Sequence, residues 1–110
     1  MKLYGLKNCD SCKKALKALQ SAGQSVEFID LRATPVAAEQ LQKWLDEHGN
    51  AVLLNRKSTT WRGLDEQARQ LPVLALLGAN PTLIKRPVIE SGGNSFVGWT
   101  AEVQTALGLI

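Results

Sequence analysis

Two cysteines and one histidine are all the soft metal ligands in the 110 residues, and that scarcity decides several questions. A structural zinc site takes four Cys or His ligands. Cys9 and Cys12 would need a second pair that the chain does not hold, and His48 stands far from them in sequence. A structural disulfide between the two would close too short a loop to restrain the unfolded chain much. No apolar run approaches the length of a membrane span. Lys2, Lys7, Lys13 and Lys14 interrupt the start of the chain, where a signal peptide would need an unbroken apolar stretch. The expectation is a cytoplasmic chain with no metal and no membrane partner. There, a cysteine pair stays reduced unless it is catalytic or sensing. Repeats, linkers, low-complexity segments and basic runs of five or more are also missing. A net charge of +3 therefore suits a cleft for a small anion better than a nucleic-acid surface.

What the chain does have is concentrated in Leu3-Tyr4-Gly5-Leu6-Lys7-Asn8-Cys9-Asp10-Ser11-Cys12-Lys13-Lys14. A short apolar strand and a turn lead to two cysteines at the opening of a helix, the setting of a redox Cys-x-x-Cys motif. A thiol at a helix N-terminus faces unpaired backbone N–H groups and the positive end of the helix dipole. Both favour the thiolate, which is the nucleophile. Cys9 is the expected attacking thiol, and Cys12, one turn inside the helix, the expected resolving thiol.

The remaining pattern frames that stretch. Lys2–Leu6 reads as a strand, with Gly5 allowing close approach of neighbouring backbone. The helix from about Asp10 carries Ala15, Leu16, Leu19 and Ala22 at helical spacing and stops at Gly23. Val26–Leu31 alternates as a strand, completing a βαβ unit with parallel strands. Thr34-Pro35 reads as a helix start, with Ala37, Leu41, Trp44 and Leu45 as its apolar stripe and Gly49 as its end. His48 falls at that C-terminus, where the dipole stabilises it. Ala51–Leu54 is a short apolar run, and Asn55–Arg62 reads as a polar, basic loop anchored by Trp61. Leu64–Gly78 is a helical pattern broken by Pro72. Leu83–Glu90 and Ser95–Gly98 read as strands joined at Gly92-Gly93, a β-hairpin. Thr100 caps a last helix through Leu107. The sum is one α/β domain over 1–110. It has a four-stranded mixed sheet flanked by helices, the thioredoxin-like arrangement.

Three segments resemble the arsenate reductase (ArsC) family, and within it the YffB-type proteins. They are the Cys9 stretch, Leu53-Leu54-Asn55-Arg56-Lys57-Ser58-Thr59-Thr60-Trp61-Arg62, and Leu83-Ile84-Lys85-Arg86-Pro87-Val88-Ile89, with Val97-Gly98-Trp99 after them. The resemblance implies a thioredoxin-like core with a helical insertion at about 36–80 between its βαβ and ββα halves. It also implies that Cys9 is the nucleophile, that Arg86 lies beside it, and that the Arg86–Pro87 bond is cis. It puts a substrate-binding arginine at Arg56 or Lys57, and Asn8, Ser11 and Pro87 around the substrate. Oxyanion-reducing members carry a third arginine where this chain has Gly98-Trp99. Cys12, absent from single-cysteine members, resembles the redox switch of Spx-type regulators that bind RNA polymerase. Three functions follow as expectations. The first is a glutathione-dependent thiol–disulfide oxidoreductase with no bound cofactor, acting on a small anionic or disulfide substrate. The second is an arsenate reductase using glutathione or glutaredoxin, and the third is a redox-gated polymerase partner.

Overall fold

Alternation of apolar side chains makes short strands wherever one face can be buried, and four such strands form the sheet. A computed structural model of the protein describes residues 1–109. Its strands are β1 (Lys2–Gly5), β2 (Glu27–Asp30), β3 (Val88–Ser91) and β4 (Asn94–Val97). They lie in the order β2-β1-β3-β4. β1 runs parallel to β2, pairing Leu3 with Phe28 and Tyr4 with Ile29. It runs antiparallel to β3, which turns back into β4 through Gly92 and Gly93, both at positive φ. The sheet is thus mixed, as its sequence pattern requires: the β1–β2 connection is a helical crossover and the β3–β4 connection is a tight hairpin.

The chain divides into two compact units, Met1–Asp30 with the chain from Arg86 onward, and Leu31–Lys85. The first unit holds the sheet, α1 (Asp10–Ser21) and α7 (Ala101–Ala106). Its buried centre is Leu3, Cys12, Ala15, Leu19 and Ile89, with Leu16, Val26, Phe28, Phe96 and Trp99 packed against it. Each fully buried aliphatic side chain of this kind contributes roughly 1.5–3 kcal/mol. Gly23 ends the helix region at φ 84°, and Thr100 caps α7 by accepting from the Val103 N–H at 3.2 Å.

The second unit is helical: α2 (Ala38–His48), α3 (Asn50–Leu53), α4 (Thr59–Gly63), α5 (Glu66–Arg69) and α6 (Val73–Ala79), then a 3-10 turn at Pro81–Leu83. α2 buries Leu41, Trp44 and Leu45 and packs with α6, which buries Leu76 and Leu77.

Three expectations need correction. α2 starts at Ala38, not at Thr34-Pro35: both of those residues are exposed, and Ala37 is the N-cap. The Ala51–Leu54 run, to which no element was assigned from sequence, is largely helix α3. The segment Asn55–Arg62 is not all loop. Ser58 caps α4 by accepting from the Trp61 N–H at 3.1 Å. The strand expected over Leu83–Glu90 is only β3. Leu83 lies in a 3-10 turn, Ile84 makes a lone bridge to Leu54, and Pro87 has no N–H to donate to a ladder.

Candidate active site

The first turn of α1 defines the site. After β1 the chain turns at Lys7-Asn8, closed by the Cys9 N–H donating to the Leu6 carbonyl at 3.1 Å. Cys9 is the N-cap of α1, in extended conformation, and its own carbonyl accepts from the Lys13 N–H at 3.0 Å. The turn therefore sets the Cys9 thiol at the helix mouth, half-exposed, with Asn8 and Ser11 exposed on either side.

Cys12 belongs to the next part of the same turn but to a different environment. It is 1 % exposed and packs inside the core. Gly5 makes room for it: a Cβ on Gly5 would overlap the Cys12 sulfur and come within 3.1 Å of its Cβ. The close approach expected at Gly5 is real, and the approaching group is a side chain.

These environments drive the two thiols in opposite directions. Burial raises the Cys9 thiol, but the Cys12 backbone N–H, the Cys12 thiol and the Arg86 guanidinium each favour its anion. The net effect holds Cys9 below the ordinary thiol value. For Cys12, burial dominates, and the Cys9 sulfur adds to it, so its thiol is pushed up to about 12 despite the Leu6 backbone N–H and Arg86. One sulfur is prepared to ionise and its neighbour to keep its proton.

Arg86 comes from the segment leading into β3. Its peptide bond to Pro87 is cis, and Pro87 is buried, its carbonyl accepting from the Gly98 N–H at 2.8 Å. The structure thus brings Cys9, Cys12, Arg86 and Pro87 together within the first unit. Arg56 and Lys57 lie in the second unit, exposed, on the segment between α3 and α4. There they line a cavity of about 240 Å³ with Asn55 and Lys85. Lys85 was not a candidate from sequence; its signal was the adjacent charges of Lys85-Arg86. Trp61 is held from two sides, with the guanidinium carbons of Arg56 and Arg69 at 5.6 and 5.4 Å from its ring centre. Among the described residues no group of three or more His, Cys, Asp or Glu could hold a metal ion.

A thioredoxin-like sheet with a half-exposed cysteine at the mouth of its first helix places the chain among α/β proteins of the thioredoxin-like fold. The ArsC family model matches residues 4–107, and the chain belongs to that family. A protein of Haemophilus influenzae described as uncharacterized is 41% identical over 101 residues, 88% of this chain and 89% of its own length. The solved structure titled YFFB (PA3664) protein superposes with a TM-score of 0.89 at 38% identity, over 96% of both chains. The global transcriptional regulator Spx of Streptococcus mutans is 25% identical over 100 residues, 86% of this chain and 73% of its own.

Proposed function

We propose that the protein is a thiol–disulfide oxidoreductase that uses Cys9 as nucleophile and glutathione as co-substrate. The observation that carries this reading is the split between the two sulfurs. Cys9 is half-exposed and held below the ordinary thiol value, whereas Cys12 is buried and pushed up to about 12. In the first step the Cys9 thiolate attacks one sulfur of a disulfide. A Cys9–S bond forms, the substrate S–S bond breaks, and the departing thiolate takes a proton from water. Arg86 stabilises the negative charge before and during attack. In the second step a glutathione thiolate attacks the mixed disulfide, returning Cys9 to its thiolate and carrying the oxidised sulfur away. A further glutathione yields glutathione disulfide, so two glutathione thiols supply the two electrons. Burial, the main cause that raises the Cys12 thiol, persists in the mixed disulfide and makes Cys12 a poor resolving nucleophile at neutral pH, which favours external glutathione in this step. Asn8, Ser11 and Pro87 are the neighbouring substrate contacts in this reading.

The test is NADPH consumption coupled through glutathione reductase, with glutathione present and either a glutathione mixed disulfide or arsenate as substrate. Turnover of the disulfide, lost in Cys9→Ser and kept in Cys12→Ser, is the expected result. Arsenate turnover without disulfide turnover would replace this reading with the arsenate reductase one, with glutaredoxin as a candidate donor. A second reading rests on the Spx relative and the Cys9–Cys12 pair: a redox-gated partner of RNA polymerase. Capture of the polymerase α subunit's C-terminal domain in one redox state, together with silence in both assays, would favour it.

A further inference from the structure

On the flank of α1 lies a half-open cavity of about 160 Å³, lined by Leu6, Lys7, Cys12, Lys13, Leu16 and Phe28. All six residues belong to the first unit, and Cys9 is not among them. Cys12 is the wall that this cavity shares with the thiol pair. The lining is almost wholly apolar: Leu6, Leu16 and Phe28 supply the body, and the lysines contribute their stems. Its size matches the engineered apolar cavity of about 150 Å³ that stays dry and accepts benzene.

Charge distinguishes this cavity from an ordinary apolar dimple. Lys7 and Lys13 are both exposed, and among the described residues neither forms an ion pair or a side-chain hydrogen bond within the protein. From Met1 to Val26 the chain carries five lysines and one acid, Asp10. Two uncommitted ammonium groups therefore flank an apolar hollow in a cationic neighbourhood. We propose that this cavity binds a small amphipathic anion: a compact apolar body about the size of a phenyl ring, carrying one carboxylate-like group. The body sits against Leu16, Phe28 and the Cys12 side chain, and the charge lies between Lys7 and Lys13. This proposal does not depend on the thiol–disulfide reading, since it uses neither the Cys9 sulfur nor Arg86.

Three probes of one shape and different charge test it: 3-phenylpropionate, 3-phenylpropan-1-ol and 3-phenylpropylamine. Each is titrated into the reduced, isotope-labelled full chain while backbone amide shifts are followed. The expected result is saturable shifts centred on Leu6, Lys7, Cys12, Lys13, Leu16 and Phe28. The carboxylate binds about fivefold tighter than the alcohol, as for an exposed ion pair, and the amine weakest. In the double variant Lys7→Gln/Lys13→Gln the carboxylate falls to the affinity of the alcohol, whose own binding is unchanged. Leu16→Phe, which fills the hollow, abolishes all three. Equal affinities for the three probes in the unaltered protein would overturn the proposal. So would shifts centred elsewhere, or no shifts at millimolar probe.

Discussion

With Arg86 replaced by Gln, Cys9 loses a guanidinium that both hydrogen-bonds to its sulfur and attracts its charge. The pH midpoint of Cys9 alkylation, expected below the free-thiol value of about 8.5, then moves upward. Disulfide turnover falls about ten- to a hundredfold, the cost of a lost charge-assisted contact of roughly 1.5–3 kcal/mol. An unmoved midpoint in Arg86→Gln would remove Arg86 from the mechanism. The thiols also act on stability, with opposite signs. Cys9 is depressed, so its contribution is full above the ordinary thiol value and is lost as pH falls through its folded value. Cys12 is raised, so its contribution is full below the ordinary value and is lost as pH climbs toward about 12. Denaturant unfolding from pH 8 upward is expected to show a steeper alkaline decline in the unaltered protein than in Cys12→Ala. Parallel curves would contradict the burial of that thiol. Gly5→Ala tests the packing directly: the added methyl meets the Cys12 sulfur and costs about 1–3 kcal/mol. Combining it with Cys12→Ala removes the sulfur, so the pair is expected to lose less than the sum of the two single changes.

At the scale of elements, capping and cationic stacking hold α4 and α5 together. Arg69, on α5, donates from Nε and Nη2 to the Trp61 carbonyl at 3.3 and 3.1 Å, and from Nη2 to the Arg62 carbonyl at 3.2 Å. These carbonyls lie in the last turn of α4, so Arg69 caps α4 while stacking on Trp61. Arg69→Ala is expected to cost roughly 1–2 kcal/mol in denaturant unfolding, and Arg69→Lys to recover little of it, since an ammonium lacks the planar fork. Equal stability of the Lys variant would mean that charge alone suffices. α4 was partly legible: Ser58 three residues before Trp61 is a capping signal, obscured by a polar run without periodicity. The Thr34-Pro35 start misled for a different reason. A hydroxyl and a proline permit a helix to begin, but buried side chains decide where it does. In α2 those are Leu41, Trp44 and Leu45, well beyond the exposed Pro35. Helix α1 was legible because most of its stripe, its stop at Gly23 and its cysteine mouth agree with one another; Ala22, expected on the stripe, is instead exposed at the C-cap.

At the scale of the molecule, the order of strands and helices could be read because the βαβ, hairpin and capping signals are local. The environment of each sulfur was only half legible. Helix position gave the direction for Cys9, but the rise at Cys12 depends on burial among Leu3 and Gly5 of the preceding strand and Ile89 of β3, far away in sequence. That Arg56 and Lys57 belong to the second compact unit was likewise hidden, because chain order does not report how contacts partition. Net charge of +3 adds one prediction at this scale. Turnover of a glutathione mixed disulfide is expected to lose kcat/KM as ionic strength rises from 0.01 to about 0.15 M, where the screening length shrinks from about 30 to 8 Å, with kcat nearly constant. A salt-independent kcat/KM would show that anion steering plays no part.

The strand order carries a further consequence. β2 and β4 are the outermost strands, each four residues long, so either offers only a brief ladder to a foreign chain. β2 begins and ends on carboxylates, Glu27 and Asp30, and β4 begins on the polar Asn94-Ser95. Short, polar margins of this kind discourage intermolecular strand addition. The borders of the sheet thus give a foreign strand little to pair with, which disfavours fibrillar self-association through the backbone.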